Sequence, residues 1–426
     1  MEIFKNVVFT KMFIAAFASQ MGSTIGNVAF AFYLLDNFST QPSYATIAEL
    51  MYSLPILFVF FLVGVVADRW DRKKITVHSD LIRAGLTVLL IAAVYFQVLW
   101  LIFALLFIRS AVSKFFAPAE MSILQGILSK EHYMQASGLN QTVIGLFLLF
   151  GTGMGAISYH YVGLMGTVII DGISFIISAI LIYSCSIPLE ARLPNGKDNK
   201  AMSLSSVLVD FKEGLTYILN FKLLKSIVSG FLVFGIINGA FSVLPLFTMK
   251  YKLSPDHYEQ YVSLFSIFLG VGFVIGSGLG AKFIKLFKVH RVIIAGIILC
   301  SVLTFVIGTL ENVWIYLSIW IVVGVILAPV NVALSGWMTE LVDPKLMGRV
   351  SGWIDPLMML THSASLAVIA VIFPAFIKVD VIYMGIGFLL LVVGGYYLLV
   401  LPKLVNDQVK LAKSQDLKRV SIDGKA

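Results

Sequence analysis

The chain has 426 residues, of which 59% are hydrophobic and only 13% charged. An ordinary soluble domain carries roughly a quarter charged residues, so a chain this apolar cannot cover its own surface with polar groups and its main solvent must be lipid. The net charge of +8 suggests nucleic acid only until its distribution, set out below, is counted. Cys185 and Cys300 lie far apart inside apolar runs, which excludes a disulfide framework, and the six histidines show no ligand spacing, so neither a metal nor a cofactor is implied.

A spanning helix needs about 20 mainly apolar residues. Runs of that kind fall at 8–35, 44–67, 75–97, 99–124, 137–159 and 162–187, then at 223–249, 259–281, 290–310, 313–338, 351–376 and 380–401. The first run is too long for a cleaved leader, and further spans follow it. The longest break, 188–222, opens on Pro188-Leu189-Glu190 and runs through Pro194-Asn195-Gly196-Lys197-Asp198. Within it Leu204, Val207, Leu208, Phe211 and Leu215 recur at helical spacing, which predicts an amphipathic helix on the membrane face. The expected organisation is a six-helix bundle over 1–187, a cytoplasmic linker over 188–222, a second six-helix bundle over 223–402 and a cytoplasmic tail over 403–426. Faint repetition between the halves fits a duplicated unit: Ser137-Gly138 answers Ser351-Gly352, and Ala117-Pro118 answers Ala328-Pro329.

Of the 31 Lys and Arg residues, 25 fall on one side of these spans and only Lys250, Lys252 and Lys378 on the other; Arg83, Arg109 and Lys114 lie inside spans. The basic side is expected to be cytoplasmic, with both termini and the linker there. The excess is a topology signal that also meets anionic headgroups, and nucleic acid is not needed to explain it.

Between spans two and three the sequence reads Gly64-Val65-Val66-Ala67-Asp68-Arg69-Trp70-Asp71-Arg72-Lys73-Lys74. This resembles the signature loop of the major facilitator superfamily, Gly-x-x-x-Asp-Arg-x-Gly-Arg-Arg/Lys, with Asp71 where the pattern has glycine, a departure that bears on the local turn. Leu106-Phe107-Ile108-Arg109-Ser110 resembles the family's second motif, with Ser113 replacing its glycine. Gly145, Gly151, Gly153 and Gly155 echo a glycine-rich antiporter motif but lack its proline. Together with Leu346-Met347-Gly348-Arg349-Val350, these blocks look like the macrolide-efflux branch of the drug:proton antiporters.

The resemblance implies an all-α membrane protein of twelve transmembrane helices in two pseudo-symmetric six-helix bundles, the major facilitator fold. It further implies that Gly64, Asp68, Arg69, Arg72 and Lys73 form a gating loop, in which Asp68 and Arg72 latch the outward-facing state against the N-terminus of span eleven, where a carboxylate suits the helix dipole.

Asp171, about nine residues into span six, must face the protein interior, pair or be protonated. It is the first candidate for proton coupling, against a structural pairing with backbone or Arg109. Arg109 and Glu120 lie on nearly one stripe about 16 Å apart and, with Glu49 near the outer end of span two, complete the proton-coupling candidates. Lys114, on another face, is expected to reach a headgroup or a partner helix; Asp80 and Arg83, three residues apart, to pair locally; and Asp36, at the outer end of span one, to meet water.

Polar stripes mark a cavity: Gln20, Ser23, Thr24 and Asn27 in span one, Asn238 and Ser242 in span seven, Asn331 and Ser335 in span ten. Interhelical hydrogen bonding without a ligand is the competing reading of each stripe. The expected activity is export of amphiphilic, drug- or macrolide-type molecules by proton antiport with alternating access, from a monomer in the cytoplasmic membrane, with resistance as a consequence. Siderophore or metallophore export is the second reading, and a non-transporting receptor or intramembrane enzyme the third. Glycines 276, 278 and 280 fall inside a span, outside the strand–turn context of a nucleotide loop.

Overall fold

The computed structural model describes residues 2–193, 204–342 and 346–423, and these contain helices and no strand. In chain order the helices are α1 (Val7–Asn37), α2 (Ser43–Ser53), α3 (Pro55–Arg69), α4 (Arg72–Tyr95), α5 (Leu99–Ser113), α6 (Phe116–Ile127), α7 (Lys130–Tyr183), the one-turn α8 (Leu189–Arg192) and α9 (Leu204–Asn220). They continue with α10 (Lys222–Thr248), α11 (Tyr258–Phe287), α12 (Val289–Thr309), α13 (Val313–Leu341), α14 (Met347–Ile372) and α15 (Val379–Asp423). Residues 194–203 and 343–345 lie outside the described residues, as do the side chains of Leu204, Val207 and Leu208 in the amphipathic stretch.

Local chemistry sets the boundaries. Asn6 caps α1 by accepting hydrogen bonds from the amides of Val8 (3.0 Å) and Phe9 (3.1 Å), and Asn312 does the same for α13 at Trp314 and Ile315. Pro55 opens α3, where its missing N–H costs nothing, and so divides span two after Leu54. Span four is also divided, between α5 and α6 at Lys114–Phe115, with Pro118 in the first turn of α6. Pro329, its counterpart in the other half, lies inside an unbroken α13.

Ten helical stretches among the described residues are long and apolar enough to cross a membrane. The other two crossings are α1, whose polar stripe lowers its hydropathy, and the first passage of α7, before Gly163. At Gly163, α7 has φ 65° and ψ −178°, a region that only glycine occupies readily. Ala136, before the turn, and Cys185, just past the helix end, pack in one cluster with Phe9 and Ile123, whereas Tyr159, beside the turn, bonds to Asp36 at the far end of α1. Residues 130–162 and 164–183 are therefore antiparallel arms.

Side chains such as Val88, Trp100, Ile180 and Leu399 are exposed around the outside, where lipid would meet them. α9 docks on the start of α14: the Phe211 and Trp353 rings stack at 3.9 Å, Trp353 Nε1 donates to the Phe211 carbonyl at 2.7 Å, and Arg349 pairs with Glu213 at 2.5 Å.

Candidate functional site: a buried charge cluster beside a central cavity

The N-terminal helices enclose four charged side chains. Asp171, 2% exposed, is ion-paired with Arg109 of α5 across α7 and α5. Asp80, fully buried, accepts from Arg83 Nη1 at 3.1 Å and from Ser19 at 3.1 Å. Arg83, 7% exposed, also donates to Ser19 (3.1 Å) and Ser23 (2.6 Å) of α1. The ring centroid of Phe175 lies 3.8 Å from the Arg83 guanidinium and 5.5 Å from that of Arg109, so one aromatic ring serves both cations.

The cluster depends on how close α1 comes to α7. A Cβ on Gly26 would stand 3.2 Å from Asp171 Oδ2, and one on Gly22 would stand 2.1 Å from Ser174 Oγ. Among the described residues Asp171 Oδ1 and Arg109 Nε have no hydrogen-bond partner, and a buried polar atom left in that condition is unfavourable. The pair is thus incompletely satisfied where it stands.

Two cavities touch this cluster, and a third meets one of them. One of about 590 Å³ lies mainly among α10–α14 and is walled by Phe234, Phe241, Phe265, Trp320 and Met358, with Asn238, Ser242 and Asn331 among its polar points. A second, of about 430 Å³, lies among α1, α4, α6 and α7 and is lined by Gln20, Ser23, Thr24, Asn27, Arg83 and Glu120. Thr24 belongs to both. The third, of about 120 Å³, holds Arg83, Arg109 and Lys114 together with Asn27, Tyr52 and Ser113.

Of the residues expected in a cavity, Gln20, Thr24, Asn27, Asn238, Ser242 and Asn331 line one. Ser335 is exposed and outside these linings. Glu120 faces the second cavity, whereas Arg109 faces the third, because the chain turns between α5 and α6; Ser113 borders both. Lys114, at the end of α5, lines the third cavity rather than reaching a headgroup. Glu49, on α2, interacts with Lys114 through space. Asp80 and Arg83 pair as their spacing suggested.

In the signature loop, Gly64, Asp68 and Arg69 end α3, and their side chains lie outside the described residues. Asp71 has φ −60° and ψ 109°, an ordinary backbone for a residue with a side chain, so the turn does not need the family's glycine. It caps α4 through the amides of Lys73 and Lys74 and is ion-paired with Arg192 of α8. Burial raises the Asp71 carboxyl, but the bonds from Arg192 and from the Lys74 and Lys73 amides outweigh it and hold the group below its usual value. Arg72 opens α4, half-buried. Lys73 closes the end of α7 by donating to the carbonyls of Tyr183 and Cys185, both at 2.8 Å.

Asp36 is the residue whose part the sequence did not announce. Instead of meeting water alone, it accepts from Tyr159 (3.0 Å), from Tyr258 (2.7 Å) and from Lys250 (3.1 Å). It thereby ties α1 to α11 and to the end of α10. Tyr251 adds a bond to the Ser39 carbonyl at 2.9 Å. Nearer the middle, Ser53 meets Ser363 at 3.2 Å and Ser266 donates to Thr152 at 2.8 Å, so α2 touches α14 and α7 touches α11.

Twelve crossings, a central cavity shared by the N- and C-terminal helices and a buried charge cluster among the N-terminal helices are the architecture of a membrane transporter. The Major Facilitator Superfamily profile matches residues 12–366, and the chain belongs to that family. It is 51% identical over 405 residues to the uncharacterized MFS-type transporter YkuC of Bacillus subtilis (strain 168), covering 95% of this chain and 94% of that one. Over 348 residues it is 24% identical to macrolide efflux protein A of Streptococcus pyogenes, covering 80% and 83% of the two chains. Its fold superposes on that of a crystallised variant of the nucleoside transporter NupG with a TM-score of 0.69, at 15% identity, over 92% of this chain and 99% of that one.

Proposed function

We propose that this transporter exports amphiphilic small molecules of the drug and macrolide type by proton antiport. Two six-helix bundles, 1–187 and 223–402, joined by the linker at 188–222, would rock about the shared cavity in a cell membrane. Both termini and the 403–426 tail would lie in the cytoplasm, on the count of basic residues, and the unit would be a monomer in contact with lipid. The observation that carries the reading is the Asp171–Arg109 pair, buried beside the cavity-lining helix α1 with one carboxylate oxygen unsatisfied. A carboxyl so placed can exchange a proton when the cavity opens to water, and Glu120 and Glu49 are further stations. The largely apolar cavity of about 590 Å³ suits a lipophilic body, and the macrolide efflux relatives support the direction of transport. Asp68 and Arg72, with Gly64, Arg69 and Lys73 around them, would latch the basic end against the start of α14.

The test uses the purified chain in liposomes with a fluorescent amphiphilic dye. Dye movement should follow an imposed pH gradient and stop with a protonophore, and Asp171→Asn should uncouple it. Gradient-driven transport that is unchanged in Asp171→Asn removes this residue from the mechanism. Movement indifferent to the gradient removes proton antiport.

A further inference from the structure

The cavity of about 120 Å³ has a one-sided lining: Arg83, Arg109 and Lys114 face it, and among the described residues no carboxylate does. Asp80 and Asp171, which hold the two arginines, are not among its lining residues. Their bonds go to Arg83 Nη1 and Arg109 Nη2, which leaves Arg109 Nε without a partner. Tyr52 Oη, also on this lining, is buried and unpartnered. Lys114 forms no ion pair with a described carboxylate; Glu49 acts on it only through space. Donors and positive charge therefore converge on a space of about four waters, taking ~30 Å³ for each.

The space is not isolated. It shares Ser23, Asn27, Arg83 and Ser113 with the cavity of about 430 Å³, and that cavity meets the apolar one at Thr24. The three cavities thus lie in series, from a cationic pocket on α4 and α5, past α1, to a chamber walled by Phe234, Phe241 and Trp320.

We propose that the small cavity binds the acidic head group, a carboxylate or phosphate monoester, of an amphiphile whose apolar body lies in the large cavity. Lys114 supplies the free charge, and Arg109 Nε and Tyr52 Oη supply directed hydrogen bonds. The head group leaves the Arg109 Nη2–Asp171 pair intact, so substrate and proton use different atoms. This assignment rests on the transport reading above and narrows its substrate to acidic amphiphiles.

The probes are 11-(dansylamino)undecanoic acid and its neutral primary amide, which share one apolar body. Binding to the full chain in phosphatidylcholine nanodiscs is followed by dansyl fluorescence. The acid should bind at least about tenfold more tightly than the amide, as expected for one charge-assisted hydrogen bond. Lys114→Gln should abolish that preference and leave amide binding unchanged, whereas Phe241→Ala should weaken both probes alike. Inorganic phosphate at millimolar concentration should displace neither probe fully if the apolar body contributes, and full displacement of the acid by phosphate would replace the amphiphile with a free anion as ligand. Equal binding of acid and amide by the unmodified chain overturns the proposal without recourse to any variant. Transport of both probes with equal efficiency would retain the transport reading and discard the acidic-head assignment, while failure to transport a neutral dye as well would discard both.

Discussion

The Asp36 contact makes the sharpest prediction. Its carboxylate bonds to Lys250 and Tyr258 on the C-terminal helices and to Tyr159 beside the Gly163 turn. Asp36→Asn keeps the size of the side chain and one acceptor but loses the charge and the second acceptor oxygen. A hydrogen bond to a charged group contributes about 1.5–3 kcal/mol when buried, but the Asp36 side chain is 34% exposed and that of Lys250 17%, so solvent screening reduces the ion pair to under about 1 kcal/mol. Adding the weakened Tyr258 bond gives a loss of about 1–2 kcal/mol of contact between the halves, a factor of about 5–30 in an equilibrium. A cysteine at Asn27, about 13 Å deeper along α1, reports opening from the Asp36 side through its labelling rate with a membrane-impermeant maleimide. The native Cys185 and Cys300 are free thiols, and Cys300 lines the apolar cavity, so both are replaced by alanine in the labelling background. Labelling should rise about 5–30-fold in Asp36→Asn and less so in high salt; Tyr258→Phe should give a smaller rise that is insensitive to salt. A rate unchanged in both variants refutes the view that this contact holds the halves together.

Gly163→Ala should destabilise the chain by about 1–3 kcal/mol, since its φ of 65° with extended ψ is a region closed to other residues; a thermal unfolding midpoint in detergent equal to that of the parent would contradict the turn. Asp171→Asn should cost about 3–5 kcal/mol by stranding a buried guanidinium, and Asp171→Asn with Arg109→Gln should cost less than the two singles summed; additive losses would show that the pair is not energetically linked. Asp71→Ala should lose about 1 kcal/mol of helix capping. Because the Asp71 carboxyl is held below its usual value, its stabilisation should persist above the ordinary carboxylate value of about 3.9 and vanish only as pH falls through the lower folded value; Asp71→Asn should flatten that acid limb of the stability curve, and an unaltered limb would rule the residue out as its source.

The crossings were legible because lipid imposes a simple demand, about 20 apolar residues in a row, that short-range reading detects. The polar stripe Gln20–Ser23–Thr24–Asn27 was legible for a related reason: helical period places these residues on one face wherever the helix goes, and all of them line the second cavity as a set. What could not be read is pairing at long range. Asp36 looks like a helix-end acid until Lys250 and Tyr258, more than 200 residues away, are brought to it. Asp71 looks like a defect in a glycine motif until Arg192, 121 residues on, supplies its partner. Lys114 falls on another face when span four is read as one stripe through Arg109 and Glu120, yet from the end of α5 it reaches the cationic cavity beside Arg109 and Ser113.

These cases converge on α1. It carries too many polar residues to satisfy a hydropathy criterion, and those residues are what give it contacts in both halves. Ser19 and Ser23 hold Arg83, Gly22 and Gly26 admit Asp171 and Ser174, Thr24 stands between the polar cavity and the apolar one, and Asp36 fastens the far end. A more hydrophobic helix would insert more readily, but it would leave the buried Arg83 without its hydroxyl partners and close the approach that the charge pair needs. The low hydropathy of α1 therefore follows from the site it builds: neighbouring helices, rather than lipid, surround its polar face, so its stability in the membrane comes from the assembled bundle and not from its own composition.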